Sequence, residues 1–99
     1  MDDKQEIIEV LTKAREIFRE RGGARGVLLD DQDRVCAVGA LNLAVTGDAE
    51  NWGSSRLREE ARETLGYKFD IVYINDSAQD PMPVILDIYD HAIKELENQ

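Results

Sequence analysis

AVGALNLAV, residues 37–45, is the stretch on which the reading of this chain turns. It carries no charge, and Asn42 is its only polar side chain. A helix that is apolar nearly all round is a buried helix, so these residues are expected to form the centre of the molecule. Gly39, Ala40 and Ala44 are small and would let neighbouring segments approach closely. Gly47 is placed to end the helix, because glycine takes the left-handed terminal conformation without strain. Asn42, once buried, needs hydrogen-bond partners.

Working back toward the N-terminus, two short apolar runs, Val27–Leu29 and Val35–Val38, flank the polar segment Asp30–Arg34. This pattern predicts a short hairpin; the competing reading starts a helix with Asp33 as its N-cap. Upstream of it lies an amphipathic helix. Ile7, Val10, Leu11, Ala14, Ile17 and Phe18 recur at three- and four-residue spacing, Asp2 or Asp3 can cap the start, and Gly22-Gly23 marks the end.

Toward the C-terminus, a loop holding Trp52 and Gly53 leads to a third helix. Ser54 or Ser55 is its expected cap, Leu57, Ala61 and Leu65 its inner line, and Gly66 its close. YKFDIVYIN, residues 67–75, alternates in the manner of an extended segment, and Asn75-Asp76-Ser77 reads as turn chemistry. Asp80-Pro81 is a helix start, an N-cap carboxylate followed by proline at the first helical position. The last helix has Ile85, Ile88, Ala92 and Leu96 as its inner stripe, widened by Val84, Tyr89 and Ile93. The expected fold is mostly α: one domain, residues 1–99, of four helices around the buried central helix, with a short β-hairpin or extended segment.

Composition agrees with a small globular domain, at 99 residues, 42% hydrophobic and 33% charged. The net charge of −9 is uneven: residues 69–99 hold seven acidic side chains against Lys94 alone, a net of −6. Such a surface repels nucleic-acid phosphates and anionic membranes and suits a basic partner. No apolar run approaches the ~18 residues of a membrane span, and the opening Met-Asp-Asp-Lys-Gln-Glu has no signal-peptide character. A single cysteine, Cys36, allows no intramolecular disulfide. The expected setting is the cytoplasm.

A search for chemistry returns no catalytic motif. His91 has no serine or cysteine partner at readable spacing and reads as a surface histidine of the last helix. Cys36 lies in the apolar run VCAV and reads as a core residue, although Arg34 is close enough to raise the question of an activated thiol. Asp30, Asp31 and Asp33 resemble part of a calcium loop but lack the glycine and glutamate that such a loop requires. GGARG, residues 22–26, lacks the Lys-Ser/Thr of a phosphate loop. No metal or cofactor is expected. Arg19, Arg21, Arg25 and Arg34 collect near the end of the first helix and could hold an anion, with Trp52 stacking on a ring. Tyr73, Asn75, Asp76, Asp87 and Asp90 form a second candidate group, facing a partner near the acidic pole.

CAVGAL, residues 36–41, together with the Asn75-Asp76 pair and the final amphipathic helix, resembles a family of small uncharacterised proteins from actinobacteria and their phages. A Cys-x-x-Gly-Ala-Leu segment and a Trp-Asn-Asp-like segment recur there, and Ile74 stands here where the aromatic is expected. The resemblance implies a compact fold and a bacterial or phage source, and it carries no catalytic residue. The function expected is that of a non-enzymatic protein-interaction module, binding a protein partner or a second copy of itself as a homo-oligomer. The alternative is a binder of a small anionic, nucleotide-like ligand.

Overall fold

The computed structural model of the chain describes residues 3–52, 56–66 and 71–99. Among these residues lie five helices and no strand: α1 (Asp3–Arg21), α2 (Ala37–Thr46), α3 (Arg56–Gly66), α4 (Ile71–Ser77) and α5 (Pro81–Glu97). The radius of gyration is 12.3 Å, as tight as expected for a folded chain of this length, about 13 Å.

α1 follows its apolar periodicity. Ile7, Leu11, Ala14 and Phe18 are buried, while Val10 and Ile17 pack partly against the same core. Acidic side chains in its first turn and Arg19 and Arg21 in its last oppose the helix dipole favourably. α5 likewise buries Ile85, Ile88, Ala92 and Leu96, and Tyr89 with them. Asp80 does precede Pro81 at the N-cap position, but its side chain makes no capping hydrogen bond.

α2 is the buried element expected, with Ala37 to Asn42 all inaccessible, and Gly47 ends it at φ 81°, its N–H donating to the Leu43 carbonyl. α2 packs against α1, α3 and α4, whereas α1 packs against α2, α3 and α5, so the two share the middle of the bundle. The half-buried stretch Leu43–Thr46 of α2 reaches its edge.

The expected hairpin reduces to isolated bridges, Leu29 with Val35 antiparallel and Gly22 with Val35 parallel. The cause is the turn between them. Both the Gln32 and Arg34 N–H groups donate to Asp30 Oδ1 at 2.9 Å, and Arg34 Nε donates to Asp30 Oδ2 at 2.7 Å. Asp33 sits in the left-handed region at φ 61°. Val35 then bonds to the end of α1, its N–H to the Arg21 carbonyl at 2.7 Å, and α2 begins two residues later. No ladder can form in that space. Asp33 is not the N-cap either; Cys36 is.

The second correction concerns residues 67–75. Residues 67–70 lie outside the described part, as do Gly53, Ser54 and Ser55, but Ile71–Ser77 is helical where an extended segment was expected. Ile71 and Asn75, four apart, are buried, and Val72 and Tyr73 are exposed. The helix packs on α2 and α5 and buries Ile71 and Asn75 at four-residue spacing, a case of tertiary contact overriding the β preference of Ile, Val and Tyr.

Gly39 explains how the loop before α2 lies so close to it. A Cβ at Gly39 would overlap the Leu28 carbonyl oxygen, the same oxygen that accepts from Cys36 N–H at 3.2 Å. Replacing Gly39 by Ala should therefore cost about 1–3 kcal/mol of overpacking. Gly66, with nothing within 4 Å of its position, should gain up to about 1 kcal/mol from the same change. Chemical denaturation of the two variants measures both, and equal effects of one sign would contradict the close approach.

Candidate functional site

The start of α2 is capped twice. Cys36 Sγ accepts from Gly39 N–H at 3.2 Å, and the Asn75 side chain, reaching over from α4, accepts from Ala37 N–H at 3.0 Å through Oδ1. The Asn75 amide group donates in turn to the Ala24 carbonyl at 2.9 Å. Asn75 is 2% exposed, so both bonds form away from water. The Ala37 carbonyl accepts from the Tyr89 hydroxyl of α5 at 2.9 Å. Burial pushes the Tyr89 phenol far up and keeps it a donor. Burial also pushes the Cys36 thiol up, against the pull of the Gly39 and Val38 N–H groups; at neutral pH Cys36 is a thiol that accepts a hydrogen bond, with no thiolate character.

Asp76, beside Asn75, faces the other way. Its Oδ1 accepts from Gly26 N–H at 2.9 Å and from the Asn75 amide at 3.0 Å. Arg25 donates to the Asp76 and Gln79 carbonyls at 3.5 and 3.2 Å, which satisfies the C-terminal end of α4 with a cation, as the helix dipole favours. Residues 24–26 are thus stitched to α4.

Between these parts opens a pocket of about 210 Å³. Val27, Leu28, Trp52 and Val72 line it, Cys36 to Val38 contribute the start of α2, and Asn75 and Asp76 supply polar groups. Three large apolar side chains at its mouth are open to solvent: Val27 at 51%, Trp52 at 46% and Val72 at 41%.

Trp52 is held from behind. The Arg58 guanidinium lies over its ring, 4.6 Å from the centroid, a cation–π contact. Arg58 itself is 3% exposed. Its Nε donates to Asn42 Oδ1 at 2.9 Å and its Nη1 to Glu59 at 2.8 Å, while the Asn42 amide donates to the Ala49 carbonyl at 3.0 Å. This answers the need of the buried Asn42. Arg58 escaped the sequence reading because arginine is ordinarily assigned to the surface. The signal was there: Arg58, Ala61 and Leu65 share helical spacing, and a buried Asn42 required a donor.

The sequence-grouped arginines each hold a separate intramolecular partner. Arg19 pairs with Glu16 at 2.7 Å, which lowers the Glu16 pKa. Arg21 donates to the Asp33 carbonyl at 3.0 Å, Arg34 pairs with Asp30, and Arg25 caps α4. Trp52 joins the pocket with Asn75 and Asp76 rather than with Arg19, Arg21 or Arg34. In the second group, Tyr73 is 68% exposed on α4, Asp87 is exposed on α5, and Asp90 is bound to Arg15 at 2.5 Å. His91 is exposed. Among the described residues no group of three or more His, Cys, Asp or Glu side chains could hold a metal ion, and no helix is long and apolar enough to cross a membrane.

A compact, mostly helical domain with an apolar pocket beside the capped start of α2 is the class these features define. The chain belongs to a family of unknown function, DUF6197, whose model matches residues 2–95. No curated protein and no solved structure matches it.

Asn75 carries the most structural weight at this site. Asn75→Ala should lower stability by roughly 2–4 kcal/mol, since it leaves the Ala37 N–H and the Ala24 carbonyl buried without these partners. Urea denaturation measures the loss; a change below about 1 kcal/mol would show that neither bond matters.

Proposed function

We propose that this protein acts by binding another protein, without chemistry of its own, and that the pocket beside the start of α2 is the contact site. The observation that carries this reading is the clustering of exposed Val27, Trp52 and Val72 around one apolar cavity. Scattered apolar side chains on a surface are ordinary, but a contiguous patch around a recess is what binding sites look like. The cavity, about 210 Å³, is smaller than the roughly 300–1,000 Å³ of sites built for small molecules. It suits one anchoring side chain.

The alternative, a nucleotide-like anionic ligand, has less support. Arg19, Arg21, Arg25 and Arg34 already hold intramolecular partners, and two N–H groups at the start of α2, the usual attraction for an anion, are taken by Asn75 and Cys36. Within this proposal the setting is a bacterial cytoplasm, actinobacterial or phage-infected; the free thiol of Cys36 and the CAVGAL resemblance are its support. A second copy of the chain could serve as the partner, burying the same apolar rim and adding stability to a small domain.

Site-specific photo-crosslinking tests the reading. A crosslinker in place of Val72 should give protein adducts in cells, whereas one in place of Glu20, exposed on α1, should not. Adducts with the chain itself would identify self-association. Absence of any Val72 adduct, or a small molecule retained by the purified protein in native mass spectrometry, would count against it.

A further inference from the structure

The chemistry of the partner can be read from the edge of the pocket, on the footing of the protein-binding reading above. The walls are apolar: Val27, Leu28, Val38, Trp52 and Val72. Among the described residues of the lining, the one ionisable group besides the buried Cys36 thiol is Asp76, which is exposed. Its carboxylate is held through Oδ1 by two neutral donors, Gly26 N–H and the Asn75 amide. These fix its position and leave its charge uncancelled. The nearby Arg25 is turned onto the carbonyls of Asp76 and Gln79 at the end of α4.

The opposite electrostatic choice is closed off. A helix N-terminus ordinarily draws a carboxylate or phosphate to its open N–H groups. At α2 the Ala37 N–H is taken by the Asn75 oxygen and the Gly39 N–H by the Cys36 sulfur. A partner entering this pocket meets apolar walls, a start of α2 with these donors already satisfied, and one fixed negative charge at the rim of a chain whose net charge is −9. Complementary charge at the edge of an apolar anchor site selects the partner and speeds its approach.

We infer that the pocket takes a single apolar side chain of a partner protein that carries a lysine or arginine beside it, the apolar group entering between Trp52 and Val72 and the cation meeting Asp76. The apolar anchor supplies most of the affinity, and the ion pair at the exposed rim supplies selectivity and a dependence on salt.

The test is selection of a random peptide library on the intact protein, followed by binding measurements on the enriched peptides. The expected outcome is enrichment of an apolar residue with Lys or Arg within two positions of it. Val72→Glu should weaken such a peptide by about tenfold or more. Asp76→Asn, which keeps an oxygen to accept from Gly26 N–H and removes the charge, should weaken it by a few-fold and flatten its salt dependence. Thermal melts of both variants show that the fold persists. Enrichment of acidic peptides, of none, or of peptides indifferent to both substitutions would overturn the inference. Val72 crosslinks to proteins that present no basic residue would overturn it while leaving protein binding itself in place.

Discussion

The backbone of Ala37 is where three parts of this molecule meet. Its N–H is bound by the Asn75 side chain of α4 and its carbonyl by the Tyr89 hydroxyl of α5. Both side chains are sealed from water, at 2% and 0% exposure. Buried hydrogen bonds are costly to leave unmade, and a satisfied network of them specifies one arrangement where apolar contact alone would tolerate several. An apolar segment such as AVGALNLAV can slide or rotate in its site at little cost. Held at Ala37 from two sides, and against the Leu28 carbonyl at Gly39, α2 has a single seat. The pocket is a consequence, because its walls are the pieces this junction fixes.

The far side of α2 has a counterpart. Asn42, Arg58, Ala49 and Trp52 form a second polar inclusion, in which a nearly buried guanidinium is bonded to Asn42 and Glu59 and covered by an indole. Removing such a charge from water is expensive unless its partners are well placed. The guanidinium itself lies over the ring of Trp52, which lines the pocket. The two inclusions divide the work: Asn75 secures the polar edge, and Arg58 secures the aromatic one.

Much of the fold was legible in the residues. The stripe of α1 and the inner face of α5 were, because a surface helix must repeat its apolar positions every three or four residues. The buried character of α2 was, because nothing along it suits water. What misled was local pattern without its context. Residues 67–75 alternate in sequence as an extended segment would, yet within the described part Ile71 and Asn75 bury themselves as one helical face. The polar run after Leu29 suggested a hairpin, yet the Asp30 carboxylate closes a turn too tight for strands. At the site, Asn75, Asp76 and Trp52 were among the residues the sequence singled out, and all three line the pocket. Their convergence was not legible, since 38 residues of chain separate Asn75 from Ala37. Val27, Val72 and Arg58 passed unnoticed, the valines because exposure cannot be read from one residue and the arginine because its burial depends on Asn42.

Asn75-Asp76 therefore has two roles on adjacent side chains: Asn75 turns inward to hold the fold, and Asp76 turns outward to mark the rim of the pocket. The claim on which everything else rests is that the backbone at Ala37 is locked. Amide hydrogen exchange followed by NMR measures it directly. The account expects the Ala37 N–H to exchange only through global unfolding, as slowly as the amides in the middle of α1, with the Asn75 side-chain amide protected alongside it. An Ala37 N–H that exchanges as fast as the first, unbonded amides of an ordinary helix would contradict the account.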